Sequence, residues 1–554
     1  MDADRKLAFR VLLFCFAAVA ACYANSLYND FILDDVFIVA TNPDIRTIQP
    51  VRYFSTPFWG EDTDLGIYRP LVILSFSLEY SLWQRWAPGF RLVNLLLHAI
   101  NGLLVFLLAR SLFATVTPAW AAAGLYVVHP VHTEAVAGIA GRSELLAAMF
   151  FFLGWLLFRQ RRMGWCVAAF SLSLLSKENA ISFPAVIALD IWISKGQVKA
   201  ILLEWKRLAV LAAAAVMYFG LRLWVLGASA LTPPEYLNGA WTFIERELTS
   251  ARAFLRYFGL VLAPVDVTGD YGFNSIPIAN AADWDAWLGA LLILTTLILA
   301  IRISRRDPVI ALGVLFFYVT LLPVSNWIVP TGLVMAERYL YVPVFGASLI
   351  AGALWTRIRS GEARKILAAG VLAVSALLCV SHNYIWQDNF TFYRNMARVL
   401  PDNARARSGY GIALLDAGRV DEAQVQFEAG LRIARNAPML LGLAGVSIQT
   451  DQNCSRAHPL IDEALIAEPG ESSAYWLRAE CREIEGSLSE AAESYRRAVE
   501  LTRFPDSRLL FDWGMLMEKM GRKSEAAALY ERASTIDPGD LSIRYKSRTA
   551  SQAP

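Results

Sequence analysis

Charged residues are scarce in this chain of 554 residues. Only 18% of the residues are Asp, Glu, Lys or Arg, whereas 56% are hydrophobic. Several apolar runs reach the ~20 residues that a helix needs to cross a bilayer. This composition excludes a soluble enzyme and indicates a polytopic membrane protein. The net charge is only +2, so the sequence offers no electrostatic basis for binding nucleic acid.

Cysteine is also rare, and the six cysteines show no metal-ligand spacing. They are Cys15, Cys22, Cys166, Cys379, Cys454 and Cys481. Most lie in apolar runs, where a cysteine is predicted to be a buried core residue. Cys454 and Cys481 would pair if the C-terminal region faces an oxidising compartment.

A small-residue cleavage site is missing after the first apolar run, residues 7–25. We therefore predict an uncleaved membrane anchor rather than a signal peptide. Three basic residues between positions 5 and 10 precede this run, and such residues stay in the cytoplasm. Residues 26–89 then form a long external segment. Within it, residues 70–86 are interrupted by serines and a glutamate and are predicted to lie at the membrane interface.

Ten further apolar runs give a predicted total of about eleven spans. They cover residues 91–109, 119–137, 143–158, 163–176, 179–194, 207–226, 286–303, 309–328, 335–355 and 366–385. This count places the short Arg- and Lys-rich loops in the cytoplasm, as the positive-inside bias requires. An additional span at 70–86 would move those loops outside. Residues 250–264 are also apolar, but Arg252 and Arg256 favour an interfacial or re-entrant helix.

The same topology brings mixed acidic and basic groups to one outer face. The first group is the pair Asp34 and Asp35, flanked by apolar residues. A single Asp often caps a helix or occupies a turn, but carboxylates next to a span are costly and favour a functional site. The other groups are His129-Pro-Val-His132-Thr-Glu134, Gly141-Arg142-Ser-Glu144, Ser176-Lys177-Glu178-Asn179 and Glu337-Arg338-Tyr339. Together they predict a cavity for an anionic, partly lipidic substrate.

A repeat begins near Asn403, where the composition becomes more polar. Small residues at Gly411, Gly445, Ala479 and Gly514 and larger ones at Phe427, Ile461, Tyr495 and Tyr530 recur every 34 or 35 residues. This is the tetratricopeptide period, in which small residues let paired helices pack closely and aromatic residues fill the space between repeats. We predict about four repeats over 403–540, a connector at 386–402 and a tail at 541–554. Such an array is a peptide-binding surface or a structural spacer.

The ordered motifs resemble the transmembrane and tetratricopeptide-repeat-containing O-mannosyltransferase family and its bacterial relatives. The likeness covers nearly the whole chain and rests on the Asp pair after the first span, the trailing repeats and five motifs between them. These motifs are Tyr68-Arg-Pro-Leu71, His129-Pro-Val-His-Thr-Glu-Ala-Val136, Gly141-Arg-Ser-Glu-Leu-Leu146, Ser176-Lys-Glu178 and Glu337-Arg-Tyr-Leu-Tyr-Val-Pro343.

The resemblance implies an all-α GT-C glycosyltransferase fold over residues 1–385 and a polyprenyl-phosphate-linked sugar donor. It also implies an active site that faces the periplasm from a bacterial inner membrane, or the lumen of the endoplasmic reticulum in a eukaryote. The repeat array is shorter than in animal members, which favours a bacterial source. In the more distant protein O-mannosyltransferases, an Asp-Glu pair in the first external loop supplies the proposed catalytic base. Asp34 matches that Asp by position, and Asp35 replaces the Glu.

Under this hypothesis Asp34 deprotonates an acceptor hydroxyl as it attacks the anomeric carbon of a hexose such as mannose. Asp35 orients the acceptor or, with Glu134, binds a divalent cation such as Mg²⁺ or Mn²⁺. Arg338 is the first choice for binding the donor phosphate, followed by Arg142 and Lys177. The other predicted donor- or sugar-binding residues are His132, Glu134, Glu178, His129, Tyr68 and Arg69. The acceptor is a protein or a glycolipid, and the repeats bind the acceptor or another protein partner.

Three other functions fit parts of the sequence. A transporter of lipid-linked sugars would also have polar residues in a central cavity, but the membrane region shows no inverted repeat. A membrane-anchored scaffold for envelope or secretion assembly would leave the Asp pair without a role. An enzyme like the O-antigen ligases would share the compartment and the type of donor, but its cations are expected in a later, large external loop.

Overall fold

The computed structural model describes residues 2–59, 66–230, 241–272, 275–328, 330–452, 454–502 and 506–551. Regular structure within these ranges is helical, and they contain no strand. The chain divides into two compact units. The first consists of Met1–Asp35, Asp44–Gly272 and Ile276–Asp388, and the second of Val36–Pro43, Phe273–Ser275 and Asn389–Pro554.

The first unit is built mainly from the apolar runs. Its α-helices are α1 (Asp2–Tyr23), α2 (Pro50–Ser55), α3 (Pro70–Trp83), α4 (Ala87–Leu112), α5 (Val116–Val128), α6 (Thr133–Ala137), α7 (Arg142–Arg159), α8 (Met163–Ser176), α9 (Phe183–Lys195), α10 (Lys199–Leu203), α11 (Trp205–Leu226), α12 (Phe243–Leu262), α13 (Trp284–Ile303), α14 (Pro308–Leu321), α15 (Val344–Trp355) and α16 (Gly361–Ile385). Proline stands in the first turn of α2, α3, α4, α9 and α14. The missing N–H of proline costs nothing there, because the first N–H groups of a helix have no partner within the helix.

Six helical stretches among the described residues are long and apolar enough to cross a membrane, judged by length and composition. They are Asp4–Tyr28, Ala87–Leu112, Ile139–Arg159, Trp205–Ala230, Trp284–Ile303 and Gly361–Ile385. The other five predicted spans correspond to shorter helices. A helix of 14 residues such as α8 rises only about 21 Å, less than the ~30 Å apolar core of a bilayer. The total of about eleven spans therefore stays a prediction.

Two predicted spans are broken by proline. The run 119–137 stops being helical at His129, whose ψ of 120° is extended because Pro130 follows. In the run 335–355 the α-helix begins only at Val344, directly after Pro343. The first break is followed by the short helix α6, which contains Glu134. The second leaves Glu337 and Arg338 in a short turn before α15.

The two apolar segments that are not counted among the predicted spans are also helical. The segment 70–86, predicted at the interface, contains the 14-residue helix α3. The segment 250–264 belongs to the longer α12, which begins with a capping box between Thr242 and Glu245. Neither belongs to the six stretches that are long and apolar enough to span.

The second unit consists of paired helices after α17 (Asn389–Val399). The four pairs are α18 (Ala404–Asp416) with α19 (Val420–Ile433), α20 (Ala437–Asp451) with α21 (Cys454–Ala467), α22 (Ser472–Ile484) with α23 (Leu488–Leu501), and α24 (Ser507–Lys519) with α25 (Lys523–Ile536). Helix α26 (Leu541–Ser551) follows, where the sequence analysis predicts a tail. A Cβ atom at Gly411 would lie 2.6 Å from the Phe427 ring, and one at Gly514 would lie 2.6 Å from Tyr530. The small and large residues of the repeat therefore pack against each other within a pair.

Candidate active site

The two residues of the acidic pair have different surroundings. Asp35 is buried, with 2% of its surface exposed. Its carboxylate accepts hydrogen bonds from the backbone N–H groups of Ala140 at 2.8 Å and Ile139 at 3.2 Å. Asp34 is exposed. The pair therefore presents one carboxylate to solvent and uses the other to fix the backbone.

Arg91 holds the segment that leads to the pair. Its Nη2 atom lies 3.7 Å from Oδ2 of Asp35. It also donates to the backbone carbonyl of Ala137 at 3.1 Å and to those of Asn29 and Asp30. The segment is thereby tied to α4 and to the end of α6. Arg91 is not among the predicted site residues, although a charged residue in the apolar run that forms α4 is a signal for one.

Burial and backbone strain both affect this segment. Burial raises the pKa of Asp35 to about 6, although Arg91 and the N–H groups of Ala140 and Ile139 act to lower it. Leu33 has a φ of +49°, a region that residues other than Gly, Asn and Asp rarely adopt. Such a conformation persists only where the surroundings determine the backbone. The fold thus holds Asp34 in a defined position.

Arg338 is close enough to Asp34 for the charges of the two side chains to interact. It lies in a short turn before α15. Its backbone N–H donates to one carboxylate oxygen of Glu134 at 2.6 Å, and its guanidinium donates to the other. The Arg338 side chain remains 30% exposed, whereas that of Glu134 is 3% exposed. Glu134 therefore orients the guanidinium and leaves part of it available to an anionic ligand.

Two further ion pairs belong to the same charged network. Lys177 pairs with Glu144, and both are buried. Arg69 donates two hydrogen bonds to Glu178, at 2.5 Å and 3.0 Å. Burial lowers the pKa of Lys177 and outweighs Glu144, while the charges of Arg69 and Arg338 lower it further. Burial raises the pKa of Glu178, but Arg69 and Lys177 bring it down to about 2. Each pair thus places one basic side chain directly against one acidic side chain.

Tyr339 links the Lys177 pair to Arg338. The Lys177 ammonium lies 5.4 Å and the Arg338 guanidinium 5.6 Å from the centroid of its ring. A cation is attracted to an aromatic face at these distances. Tyr339 has no predicted role, because only the fold brings Lys177 beside it. The structure therefore groups Asp34, Arg338 and Glu134 with the two further pairs and this ring.

Arg142 has a different environment from the one predicted. It is fully buried. Its guanidinium donates five hydrogen bonds, to Asn94, to Ser75, to the backbone carbonyl of Phe90 and twice to Glu79. A phosphate ligand needs donors that are free, so this geometry favours a structural role. We therefore leave Arg142 out of the proposed phosphate-binding set.

The two histidines predicted to bind the donor sugar are buried as well. His129 is 4% exposed, and its Nε2 atom lies 2.9 Å from the carbonyl oxygen of Val261. His132 is fully buried, and its ring centroid lies 4.8 Å from that of Tyr126 and 4.7 Å from that of Tyr341. Both rings belong to the packed interior rather than to the exposed surface around Asp34. The geometry does not support a direct sugar contact for either.

Tyr68 and the residues predicted to bind a cation are also engaged by other groups of the protein. Tyr68 is 1% exposed and its hydroxyl donates to the carbonyl oxygen of Phe54 at 2.9 Å, so its ring is not open to a sugar. Among the described residues, no group of three or more His, Cys, Asp and Glu side chains is arranged to hold a metal ion. The carboxylates of Asp35 and Glu134 are already engaged with Arg91 and Arg338. These residues do not fit a divalent cation, and no step below uses one.

Comparisons with known proteins give two kinds of likeness. A family model for the tetratricopeptide repeat matches residues 392–438 and 450–508. The chain is 25% identical to the protein O-mannosyl-transferase TMTC3 of Mus musculus over 611 aligned residues, 97% of this chain and 65% of that protein. It is 28% identical to the protein O-mannosyl-transferase TMTC1 of Homo sapiens over 505 residues, 78% of this chain and 56% of that protein.

The chain spans 65% and 56% of the lengths of these two relatives. Among solved structures, TTC0263, a thermophilic TPR protein of Thermus thermophilus, is 18% identical to the chain and matches 34% of it and 97% of that protein, with a TM-score of 0.26. The likeness to the O-mannosyl-transferases extends over both units of the chain.

Proposed function

We propose that this chain is a membrane glycosyltransferase that acts on a polyprenyl-phosphate-linked hexose. It transfers the sugar, mannose by analogy with the names of its relatives, to a hydroxyl of a protein or glycolipid acceptor. The observation that carries the proposal is one exposed carboxylate, Asp34, in a strained and anchored segment, with its charge acting on the partly exposed Arg338. A base beside an anion-binding group is what transfer from a sugar phosphate needs.

Asp34 acts on the acceptor. Its carboxylate takes the proton of the acceptor hydroxyl while the hydroxyl oxygen forms a bond to the anomeric carbon. General base catalysis of this kind typically contributes about 10²–10⁴-fold. A single displacement inverts the configuration at that carbon. Asp35 does not touch the reacting atoms and is a positioning residue, because it acts through the backbone of Ala140 and Ile139 and through Arg91.

Arg338 acts on the donor. The bond between the anomeric carbon and the phosphate oxygen breaks, and its electron pair leaves with the polyprenyl phosphate. The exposed part of the guanidinium donates to the phosphate oxygens, while Glu134 holds the remainder in place. Lys177 and Arg69 are each engaged with a carboxylate. They therefore contribute positive charge near the donor but no free N–H groups. The lipid chain of the donor lies among the apolar helices.

The proposed sidedness follows from the distribution of basic residues. Arg- and Lys-rich loops remain in the cytoplasm, so Asp34 and the repeats face the opposite side. In a bacterial inner membrane that side is the periplasm. The second unit, which matches the tetratricopeptide repeat, then binds the acceptor protein or a partner that delivers it.

Comparing envelope proteins from cells that express wild type or Asp34→Asn tests the proposal. Intact masses and glycopeptides should lose a hexose-sized group in the variant, at equal levels of inserted protein. Asp30→Asn is the matched control, because Asp30 is an exposed carboxylate in the same segment and its side chain has no role in the mechanism. Retained glycosylation in Asp34→Asn would refute the proposal, and is the result expected of a scaffold.

A further inference from the structure

We infer that Cys454 and Cys481 form a disulfide bond that joins two consecutive helix pairs of the second unit. Cys454 is the first residue of α21, and Cys481 lies in the last turn of α22. The bond would connect the second helix of one pair to the first helix of the next. The inference rests on the proposed orientation, in which the second unit folds in an oxidising compartment.

The two helices are antiparallel neighbours, and their side chains fix how they align. Arg478 of α22 donates to Asp462 of α21 at 2.6 Å. Farther from the connection, His458 of α21 lies 2.8 Å from Glu485, just beyond α22. Cys454 is one turn before His458, so it lies at the end of the hairpin where Cys481 is also found. Both cysteines therefore lie in the half of the hairpin that is farther from the connection between α21 and α22.

The surroundings of the two thiols agree with this alignment. Cys454 is 5% exposed and Cys481 is fully buried, and both belong to the same apolar cluster between α20, α21 and α22. Both thiols are free in the structure, and that of Cys454 is close enough to that of Cys481 for the two to interact. Because so little of either thiol is exposed in the folded unit, oxidation takes place while the hairpin folds.

The reaction is thiol–disulfide exchange with a disulfide-bearing oxidant of that compartment. The thiolate of one cysteine attacks the disulfide of the oxidant and forms a mixed disulfide, with release of one oxidant thiol. The thiolate of the other cysteine then displaces the second oxidant thiol. The two cysteines lose two protons and two electrons in total, and the oxidant gains them. The product is one sulfur–sulfur bond within this chain.

Another pair of neighbouring thiols has no access to an oxidant. Cys22 of α1 and Cys379 of α16 are also in contact. Both helices are among those long and apolar enough to cross a membrane, where a polar oxidant has no aqueous route. We therefore expect Cys22 and Cys379 to stay reduced. The second unit offers a different case, because its helices carry charged and exposed faces.

Differential alkylation of the full chain in isolated membranes tests the inference. Free thiols are blocked with one reagent under denaturing conditions, the protein is reduced, and newly released thiols are labelled with a second reagent. Peptide masses should show the second label on Cys454 and Cys481 and the first on Cys15 and Cys166. Reduction should also lower the unfolding midpoint of the second unit by several degrees, because the bond closes a loop of more than 20 residues. The first label on Cys454 and Cys481 would overturn the inference.

An impermeant thiol reagent separates this result from the proposed orientation. Ser473 is exposed on α22. Ser473→Cys in a background with Cys454→Ser and Cys481→Ser should react with the reagent in intact cells or in spheroplasts. If it reacts while Cys454 and Cys481 of the wild type carry the first label, the disulfide is refuted and the orientation stands. If it does not react, the orientation fails, and with it both the proposed function and the disulfide.

Discussion

Replacing Arg142 shows whether its guanidinium supports the fold or binds the donor. Arg142 is fully buried and Glu79 is 6% exposed. In Arg142→Gln the carboxylate of Glu79 loses its cation, and the oxygens of Asn94 and Phe90 lose their donors. Breaking a buried ion pair from one side costs about 3–5 kcal/mol. At about 2 °C per kcal/mol, we expect the unfolding midpoint to fall by roughly 6–10 °C.

The paired substitution makes the measurement sharper. Arg142→Gln combined with Glu79→Gln removes both charges and leaves two amides that can hydrogen-bond to each other. Replacing both partners of a buried ion pair is often close to neutral, so most of the lost stability should return. The assay is thermal unfolding of the purified protein in detergent, followed by tryptophan fluorescence.

Donor kinetics complete this test. At a temperature where all variants are folded, the donor KM of Arg142→Gln should equal that of the wild type. The reasoning from burial is refuted if Arg142→Gln keeps the wild-type unfolding midpoint and raises the donor KM. The guanidinium would then bind the phosphate, as the sequence alone predicts.

Three other predictions concern the charged network and the helix packing. Arg338→Lys keeps the positive charge but not the two-pronged donor, so the donor KM should rise about tenfold with kcat nearly unchanged; steady-state kinetics with an unchanged KM would place the phosphate elsewhere. Burial raises the pKa of Asp35 from 3.8 to about 6, so the protonated form of Asp35 stabilises the fold. This contribution, on the order of 3 kcal/mol, is complete below about pH 4 and is lost as the pH rises through 6. Between pH 4 and 7 the unfolding midpoint should fall more steeply in the wild type than in Asp35→Asn. The variant keeps the pH dependence of Glu480 and Asp512, because burial raises their pKa values to about 7 and about 6. Equal slopes would contradict the prediction. A Cβ atom at Gly346 would lie 2.3 Å from the carbonyl oxygen of Gly313, whereas one at Gly370 would meet open space. Gly346→Ala should therefore lower the unfolding free energy by about 1–3 kcal/mol, and Gly370→Ala should leave it unchanged. Equal unfolding midpoints for these two variants would count against the close packing of α14 on α15.

Sequence patterns predicted the features that depend on local chemistry. The recurring small and large residues of the C-terminal half predicted helix pairs, and Gly411 does pack against Phe427. Proline also acts locally: Pro130 could have been used to end one predicted span earlier, and Pro343 to begin another later. The expected grouping of charged motifs is seen in part, since Asp34, Glu134 and Arg338 lie in one charged network.

The features that the sequence could not predict are pairings between distant residues. Arg142 and its partner Glu79 are separated by 63 positions, and Arg338 and Glu134 by 204. The motifs of Arg142 and Arg338 look alike in sequence, yet one cation is fully buried and the other is partly exposed. Only the packing of the helices decides which charge meets solvent. The same holds for Asp35, whose burial beside Arg91 separates its role from that of Asp34.

The most direct test of Asp34 as the catalytic base is a transfer assay with the wild type and Asp34→Asn in isolated membranes. The donor is radiolabelled polyprenyl-phosphate mannose, and the acceptor is total envelope protein. We expect label in protein with the wild type and with Asp30→Asn, and a loss of about 10²-fold or more in Asp34→Asn at equal amounts of folded protein. Equal label with Asp34→Asn and the wild type would contradict it.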